Sequence, residues 1–537
     1  MEELKGLSVE ETKRVIFDEL IMFQFDELDG NASGFQVYGA IGTEIKNNIL
    51  KVWRKILKDN NPFAIYEIET PIINKSEILK RSGHVGMFHD YMVTNGKVTL
   101  RADHVIEDYI RENSNINIQI NGATADDMCK FIKEYKLVDG DVKVIPRNLM
   151  FQIGDNYLRP EIAQSMFVEY KQLLRMNNGK LPFGVCQIGK SYRNEISCTP
   201  FTRLKEFTQA EIEFFYDPKD TMYTEMESVS IPLVSRDNSI RKINNYIKMF
   251  MILIQDFLVE IGMDINMTRF RQHGTTELAH YSADCWDLEI KIGDKWLECI
   301  GIADRGNYDI KSHIPELSDN AYVIEPSFGI DRLIFALLVT NFNKRINDEK
   351  RLVLTLNYNI APYDVAIFKL SSKISDNQIT TVLQICRMNN VKCYLDSSNT
   401  SIGKRYVRAD TIGIPYALTI DFESEKDNTY TLRYRDTGKQ IRSDIIELIS
   451  VIKTSKKLNF EQFDSNIILN ESIPRMSDQE QTVSANSSPN VTPASTTPTR
   501  RRCPLSKRNQ WVVGSGVVVV VVGAVGYFAW KWFNNKS

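Results

Sequence analysis

The clearest alternation of apolar and polar side chains lies between Gln187 and Phe214. In its second half, one set of alternate positions holds Thr208, Ala210, Ile212 and Phe214, and the other set holds Phe207, Gln209, Glu211 and Glu213. Successive side chains of a β-strand point to opposite faces, so this pattern predicts a strand with one apolar and one polar face. A first arm with Ser191, Arg193 and Glu195 on one face, followed by a polar break at 197–202, completes an antiparallel hairpin. Its polar face combines fixed charges with an aromatic ring, which favours ligand binding over simple solvation.

Helical spacing of apolar residues is found in two other places. From Thr43, a candidate N-cap, apolar side chains recur along one stripe as far as Leu57, which predicts a long helix. A strand ending at Pro71 follows it. A second helix is predicted to open at Pro160, because proline suits the first helical turn and an apolar stripe follows. Residues 352–455 alternate short apolar runs with helical patterns, which predicts a separate α/β domain.

The C-terminal part of the chain differs in composition from the rest. Residues 477–504 are rich in Ser, Thr, Asn and Pro, which predicts a disordered linker. Residues 511–530 contain no charged side chain, and as a helix they would span about 30 Å, the thickness of a bilayer core. Flanking aromatic residues and the basic run at 500–508 favour a tail anchor with the rest of the chain in the cytosol. The first 20 residues carry charges throughout, so no secretory signal peptide is predicted.

Charge and cysteine content limit the possible partners. The net charge of −3 excludes a general basic field, so any contact with nucleic acid must come from local patches. The eight cysteines include no C-x-x-C pair, which predicts reduced thiols and no zinc site.

The hairpin sequence SYRNEIS (191–197) with RLKEFTQAEIE (203–213) resembles motif 2 of the class II aminoacyl-tRNA synthetases, in the version found in dimeric glycyl-tRNA synthetases. EPSFGIDR (325–332) resembles motif 3 of that class, with Asp331 where the family more usually has Gly. LRPEIAQ (158–164) resembles a further family segment. The helix and strand at 43–71 resemble motif 1, which forms the dimer interface in the family. Segments within 361–436 resemble the anticodon-binding domain that several class II enzymes share. The resemblance covers about residues 34–450.

The resemblance implies a mixed α/β (α+β) architecture. Residues 1–350 would form the catalytic domain around an antiparallel sheet, with a small insertion at about 105–150. Residues 351–455 would form an α/β anticodon-binding domain. A linker at 456–510, a single transmembrane helix at 511–530 and a short tail at 531–537 would complete the chain.

The resemblance also implies roles for individual residues. Arg193 and Arg332 would be catalytic, because amino-acid activation depends on neutralising charge at the α-phosphate. The residues expected to bind ATP are Arg193, Asn194, Glu195, Arg203, Leu204, Phe207, Glu298, Cys299 and Arg332. Glu298 would also hold Mg²⁺. The residues expected around glycine are Glu161, Glu211, Glu325, Pro326 and Ser327. The residues expected to contact tRNA are Lys404, Arg405, Tyr406, Arg408, Arg433 and Arg435.

The sequence therefore predicts a homodimeric glycine–tRNA ligase that uses ATP and Mg²⁺, charges tRNA(Gly), and is anchored to a membrane from the cytoplasmic side. Two alternatives stay open. A non-catalytic nucleic-acid-binding scaffold would typically lose the arginines of motifs 2 and 3, all of which are present here. A class II synthetase for another amino acid would be expected to differ in the LRPE, AEIE and EPSFG segments.

Overall fold

An eight-stranded sheet lies at the centre of the first 350 residues in the computed structural model of this chain. The structure describes residues 4–24, 33–113, 124–219, 228–237, 239–275, 277–278, 282–317, 321–345 and 348–457. The strands of the central sheet are β1 (Ile65–Glu67), β2 (Phe183–Tyr192), β3 (Glu206–Tyr216), β4 (Leu233–Ser235), β5 (Thr268–Gln272), β6 (Asp284–Ile292), β7 (Lys295–Gly306) and β8 (Tyr322–Gly329). Their spatial order is β4-β5-β6-β7-β8-β3-β2-β1, and only the pairs at the two edges, β4 with β5 and β1 with β2, are parallel.

The predicted hairpin is confirmed as β2 and β3, which pair antiparallel from Phe183 opposite Phe215 to Tyr192 opposite Glu206. The apolar side of β3, which includes Ala210 and Ile212, packs into the main core. Its polar side points to the other face of the sheet, where Glu211 and Glu213 are buried.

Three helices cover the apolar face of the sheet: Ala40–Trp53, Asn245–Glu260 and Ile330–Asn341. The first begins at Ala40 rather than at the predicted Thr43, because Gly39 occupies the N-cap position. It continues through a π-helical turn, Arg54–Asp59, so the predicted apolar stripe to Leu57 is helical throughout. That stripe is buried in the core of this same domain.

The polar face of the sheet is closed at one end by the helices Ala163–Val168 and Tyr170–Met176. The first of these two helices begins at Ala163, three residues after the predicted start at Pro160. Residues 160–162 form a bend that leads into it. The remaining helices among the described residues up to 350 are Val9–Asp18, Ser76–Arg81, His84–Met87, Ala102–Glu112, Ala125–Glu134 and Tyr308–His313. Short 3₁₀ turns lie at Ile265–Met267 and Pro315–Leu317.

Three small sheets and a two-stranded ribbon surround the central one. A compact module combines the strands His89–Thr94, Thr99–Arg101 and Lys143–Asn148 with the helices Ala102–Glu112 and Ala125–Glu134. It includes the predicted insertion and extends it towards the N-terminus. The other small strands are Leu4–Gly6 with Phe342–Arg345 and Asp348–Leu354, Ile73–Lys75 with Asn156–Leu158 and Gln152–Ile153, and Met22–Gln24 with Gln36–Tyr38.

The second α/β region is a five-stranded sheet with helices on both faces, as its alternating pattern predicts. Its strands, in spatial order, are Cys393–Asp396, Val365–Lys369, Tyr416–Ile420, Thr429–Tyr434 and Gln440–Asp444. The helices Asp376–Met388 and Ile445–Lys457 pack on one face, and Ile402–Thr411 packs on the other. A short helix, Ser424–Asp427, precedes the fourth of these strands.

The predicted membrane-anchored location is corrected by the structure. Within the described ranges, no helix combines the length and the apolar character needed to cross a bilayer. The most apolar long helix, Asn245–Glu260, has 16 residues and would span about 24 Å, short of a bilayer core of about 30 Å. Its apolar side chains pack against the central sheet, so the protein core already satisfies them. The predicted span at 511–530, the linker from residue 458 onwards and the tail at 531–537 lie outside the described residues.

Candidate active site

A pocket of about 470 Å³ opens on the polar face of the central sheet. It brings together many residues that the sequence predicts at the site, namely Arg193, Glu195, Arg203, Leu204, Phe207, Glu298, Cys299, Glu325, Ser327 and Arg332. These come from β3, β7, β8, the loop before β3 and the start of the helix Ile330–Asn341. Asn194, Glu161, Glu211 and Pro326 do not line this pocket, although Glu211 bonds to a residue that does.

Arg193 is fixed at the end of the hairpin. Its guanidinium lies between the rings of Phe88 and Phe207, at 5.3 and 5.2 Å from their centroids. Its Nε donates to the carbonyl oxygen of Pro160 at 3.1 Å. Planar guanidinium groups stack well on aromatic rings and keep their remaining N–H groups for anions. The side chain is therefore held in one orientation before any ligand arrives.

Arg332 faces the same pocket from the first turn of its helix. Its Nε donates to the carbonyl oxygen of Thr202 at 2.9 Å, and its Nη1 donates to that of Glu298 at 3.2 Å. The Glu298 carboxylate lies 3.6 Å from Nη1, with its side chain 55% exposed at the pocket edge. The carboxylate is therefore accessible from the pocket.

Glu195 and Arg203 lie in the turn that joins β2 and β3. Oε2 of Glu195 is buried without a hydrogen-bond partner, which leaves an acceptor for a donor from outside the protein. Arg203 Nη1 lies 3.2 Å from Nε2 of His104, on the small module, so this module approaches the mouth of the pocket. The backbone N–H of Asn194 donates to the carbonyl oxygen of Leu149 at 2.6 Å, and this residue does not line the pocket.

Three glutamates, Glu161, Glu211 and Glu325, surround a buried region next to the pocket. Ser327 Oγ donates to Oε1 of Glu211 at 2.6 Å, and Oε2 of Glu211 is buried without a partner. Burial, and after it the charge of Glu161, raises the pKa of Glu211 to about 7. Burial likewise raises the pKa of Glu325 well above its usual value, although Arg305 opposes this.

Glu161 behaves in the opposite way. Burial opposes its ionisation, but His84, 3.3 Å away, and Arg305 outweigh this and hold its pKa below the usual value. The cluster therefore combines one carboxyl group whose pKa is lowered with two whose pKa values are raised.

Arg305 was not predicted as a site residue, although it belongs to a segment that matches the family. It is buried and donates two hydrogen bonds to Asp309, at 2.6 and 2.8 Å, and one to Glu325, at 2.9 Å. Arg159 was also missed. Its Nε donates to the carbonyl oxygen of Lys190 at 2.8 Å and its Nη1 to that of Thr70 at 3.1 Å, which ties the hairpin to its neighbours. No periodic pattern identifies either residue, because Arg305 reaches Glu325 and Arg159 reaches Lys190 and Thr70, which lie 20 or more residues away in the sequence.

The basic residues of the second domain are less accessible than their sequence suggests. Arg405, Arg433 and Arg435 are buried. Arg433 makes two hydrogen bonds to Asp410, at 2.8 and 3.1 Å, and Arg435 donates to the carbonyl oxygens of Gly413 and Leu356, both at 2.9 Å. Their guanidinium groups stabilise the domain, so the expected tRNA contacts cannot involve all six residues equally.

The other three residues of this set lie closer to the surface. Lys404 is exposed, and Arg408 is partly exposed beside Asp396, at 2.9 Å. The Tyr406 hydroxyl and Oγ1 of Thr419 are 2.7 Å apart.

Comparison with known proteins supports both halves of this description. Residues 364–455 match a family described as an anticodon binding domain. A glycine–tRNA ligase of Caldanaerobacter subterraneus subsp. tengcongensis is 36% identical over 471 residues, which span 82% of this chain and 96% of that protein. One from Methanocaldococcus jannaschii is 32% identical over 569 aligned residues (80% and 96%). Glycine–tRNA ligase 1, mitochondrial, of Saccharomyces cerevisiae is 30% identical over 607 (80% and 87%).

The antiparallel sheet with its arginine-bearing hairpin, followed by an α/β anticodon-binding domain, defines a class II aminoacyl-tRNA synthetase. The aligned relatives span about four-fifths of the chain. The chain belongs to the glycine–tRNA ligase family.

Proposed function

We propose that this enzyme activates glycine with ATP to form glycyl-adenylate and then transfers the glycyl group to tRNA(Gly). The observation that carries the proposal is the convergence of two kinds of groups on one face of the sheet. Arg193 and Arg332 supply fixed positive charge at the pocket, and the neighbouring cluster of Glu161, Glu211 and Glu325 supplies carboxyl groups that can accept an ammonium. Activation needs both, because one end of glycine is an ammonium and ATP is a polyanion.

ATP would occupy the pocket between the hairpin and Arg332. The α-phosphate and the glycine carboxylate would both be bound by Arg193, whose planar fork can contact two anions. The unpartnered Oε2 of Glu195 suits the amino group of adenine, with Phe207 and Arg332 on either side of the ring. Arg203, Leu204, Asn194 and the Cys299 backbone would complete this subsite. No covalent protein intermediate is required, since charge neutralisation and alignment drive the in-line displacement of pyrophosphate.

Mg²⁺ would be held by Glu298. Its accessible carboxylate beside Arg332 is the oxygen donor that this ion prefers, so the residue fits the group. When bound, Mg²⁺ would neutralise phosphate charge.

Glycine would bind with its ammonium among Glu161, Glu211 and Glu325, with Ser327 and Pro326 on the adjacent strand. Entry of an ammonium would favour the ionised form of Glu211 and release a proton, because the pKa of Glu211 is raised to about 7. Selecting glycine requires steric exclusion of every larger side chain, since each extra methylene gives little discrimination in an open site.

The proposed domain limits are those predicted from the sequence. We take residues 1–350 as the catalytic domain and 351–455 as the domain that contacts tRNA, with Lys404 and Arg408 as its accessible basic residues. A homodimer is proposed from the family resemblance. The stripe of the helix Ala40–Trp53 packs inside its own domain, so a partner would have to meet other surfaces of this region.

The test is ATP–pyrophosphate exchange measured with each of the twenty amino acids, followed by charging of tRNA(Gly). We expect exchange with glycine to exceed that with alanine or serine. A preference for another amino acid would contradict the specificity, and no exchange with any amino acid would favour a non-catalytic scaffold. Light scattering on the same sample should give the mass of two chains.

A further inference from the structure

Three side chains with different donor atoms meet at the side of the pocket furthest from the hairpin. They are His273, directly after β5, and Cys285 and Asp287 on β6. The His273 N–H donates to the carbonyl oxygen of Cys285 at 2.9 Å, so these two residues lie opposite each other on neighbouring strands. Cys285 and Asp287 are two positions apart and therefore share a face. One nitrogen, one sulfur and one oxygen consequently lie within 4.8 Å of one another.

The cluster is open towards the pocket that all three residues line. Across the sheet, Cys285 pairs with Ala303 and Asp287 pairs with Gly301 on β7. A Cβ atom at Gly301 would meet no other atom within 4 Å, so space remains above this strand. A fourth group could approach the three donors from this side.

The two strands hold the donors in place without a ligand. Asp287 Oδ2 lies 2.7 Å from His273 Nε2 and accepts from Arg271 Nη2 at 2.6 Å. Arg271 is itself held by Glu277 and Glu289, each at 3.0 Å. Arg271 thus orients the carboxylate, and two further carboxylates balance the positive charge of the guanidinium.

We propose that His273, Cys285 and Asp287 bind one divalent cation of the Zn²⁺ class, with its fourth coordination position open to the pocket. Imidazole, thiolate and carboxylate are the ligands that zinc accepts, and three protein ligands with one open position are typical of sites that bind an exchangeable ligand. Zinc bond lengths place tetrahedral donor atoms roughly 3.5 Å apart. His273 Nε2 and Asp287 Oδ2, now 2.7 Å apart, would separate slightly as the metal replaces their hydrogen bond, and all three donor atoms already lie within 4.8 Å of one another.

This site is distinct from the Mg²⁺ position at Glu298. Mg²⁺ prefers oxygen ligands, whereas a donor set with sulfur and imidazole selects softer ions. The proposal goes beyond glycine activation and does not depend on it. It also revises the expectation of no zinc site, since cysteine spacing cannot detect ligands that come from two separate strands.

Cobalt(II) is the probe that tests the site, because it replaces zinc and absorbs light. The full-length chain, stripped with a chelator, should bind one Co²⁺ with a thiolate charge-transfer band and the intense visible bands of tetrahedral coordination. Stoichiometric Zn²⁺ should displace it, and millimolar Mg²⁺ should not. The proton released from the thiol should make binding tighten as pH rises.

Variants identify the ligands. Cys285→Ser should abolish the charge-transfer band, and His273→Gln and Asp287→Asn should each weaken binding by more than the roughly 10–100-fold typical of groups outside the ligand set. Cys129→Ser, a partly exposed cysteine in the small module, should keep the full spectrum.

The wild-type titration decides the question even if a variant fails to fold. Absence of a thiolate band in the wild-type chain at saturating Co²⁺, or displacement by Mg²⁺ as effective as by Zn²⁺, would overturn the proposal. A band that survives in folded Cys285→Ser would do the same. Failure of glycine-dependent exchange would leave the metal result unaffected, so the two proposals are separately testable.

Discussion

Arg193 combines a constrained position with the catalytic role that we propose for it. Its guanidinium lies over the rings of Phe88 and Phe207, and its Nε donates to the Pro160 carbonyl oxygen, so the side chain is oriented before any ligand binds. Preorganised charge of this kind stabilises a transition state more than a mobile side chain does.

Replacing Arg193 by alanine should lower glycine-dependent ATP–pyrophosphate exchange by roughly two to three decades, because one charge-assisted contact in the transition state is lost. Circular dichroism should remain that of the wild type. Arg175→Ala, which removes an exposed arginine from the helix Tyr170–Met176, should retain full exchange. Near-normal exchange by folded Arg193→Ala would remove this residue from the mechanism.

Glu211 should make stability depend on pH. Its pKa is raised from 4.5 to about 7 by burial and by Glu161, so between these values the folded chain keeps a proton that the unfolded chain has released. The free energy of unfolding must therefore fall as pH rises through this window, by up to about 3 kcal/mol for a shift of this size.

Glu211→Gln removes this titration. The melting temperature of Glu211→Gln minus that of the wild type should increase from pH 5 to pH 8. Thermal unfolding of both proteins without ligands would measure this difference. Glu107→Gln, on an exposed position of the helix Ala102–Glu112, should show no such trend. A difference between Glu211→Gln and the wild type that stays constant with pH would contradict the assignment.

At the scale of elements, the start of the helix Ala40–Trp53 depends on close backbone contact. A Cβ atom at Gly42 would lie 2.1 Å from the carbonyl oxygen of Ile21, and at Gly39 it would lie 1.8 Å from that of Leu20. Both contacts are with main chain, which cannot rotate aside. Glycine is therefore needed here for space rather than for an unusual backbone angle.

Gly42→Ala should reduce the stability of the full chain by about 1–3 kcal/mol, the usual cost of overpacking. Gly403→Ala is a matched control, since Gly403 also lies in the first turn of a helix but has no atom within 4 Å of its Cβ position. The Gly403→Ala substitution should be neutral or should stabilise the chain by up to about 1 kcal/mol, because alanine has a higher helix propensity than glycine. Equal melting temperatures for the two variants would show that the Ile21 segment can move.

At the scale of the whole molecule, Asp410 joins the two domains. Its carboxylate accepts two hydrogen bonds from Arg433 within its own domain and lies 3.5 Å from Nη2 of Arg345, on the strand Phe342–Arg345. That strand pairs with Leu4–Gly6, near the N-terminus. One buried carboxylate thus connects the five-stranded α/β region with a strand that pairs near the N-terminus.

Asp410→Ala should lower the free energy of unfolding by about 3–5 kcal/mol, since buried guanidinium charge would lose its counter-charge. Asp376→Ala serves as the control, because its carboxylate is 85% exposed and pairs with Lys369 at the surface. It should cost less than about 1 kcal/mol. Denaturant unfolding would measure both, and a small effect of Asp410→Ala would show that the interface adapts.

The proposed separation of glycine activation and tRNA contact between the two regions leads to a prediction for Lys404. Lys404→Glu should lower kcat/KM for tRNA by about one to two decades and leave glycine-dependent exchange unchanged, since the residue lies on the second domain. The slope of log affinity against log salt should fall by about 1 for a lost phosphate contact. Lys426→Glu, an exposed residue of the same domain outside the predicted set, is the control. Equal charging by both variants would remove Lys404 from the tRNA interface.

The sequence alone determined the hairpin, the α/β pattern of the second domain and ten of the 24 residues that line the pocket. These features depend on local alternation and on a long contiguous match around Arg193, so the information lies within a few residues of each position. In the tail, an apolar run predicted a membrane location that the helices in the described ranges do not support.

The tertiary structure decided which distant residues meet and which charges are buried. Arg405, Arg433 and Arg435 form a basic cluster in the sequence, yet folding turns them inward to carbonyl oxygens and Asp410. His273 and Cys285 become neighbours only because β5 and β6 pair in one register. Strand pairing and burial are set by contacts between segments far apart in the chain, and for that reason local patterns do not encode them.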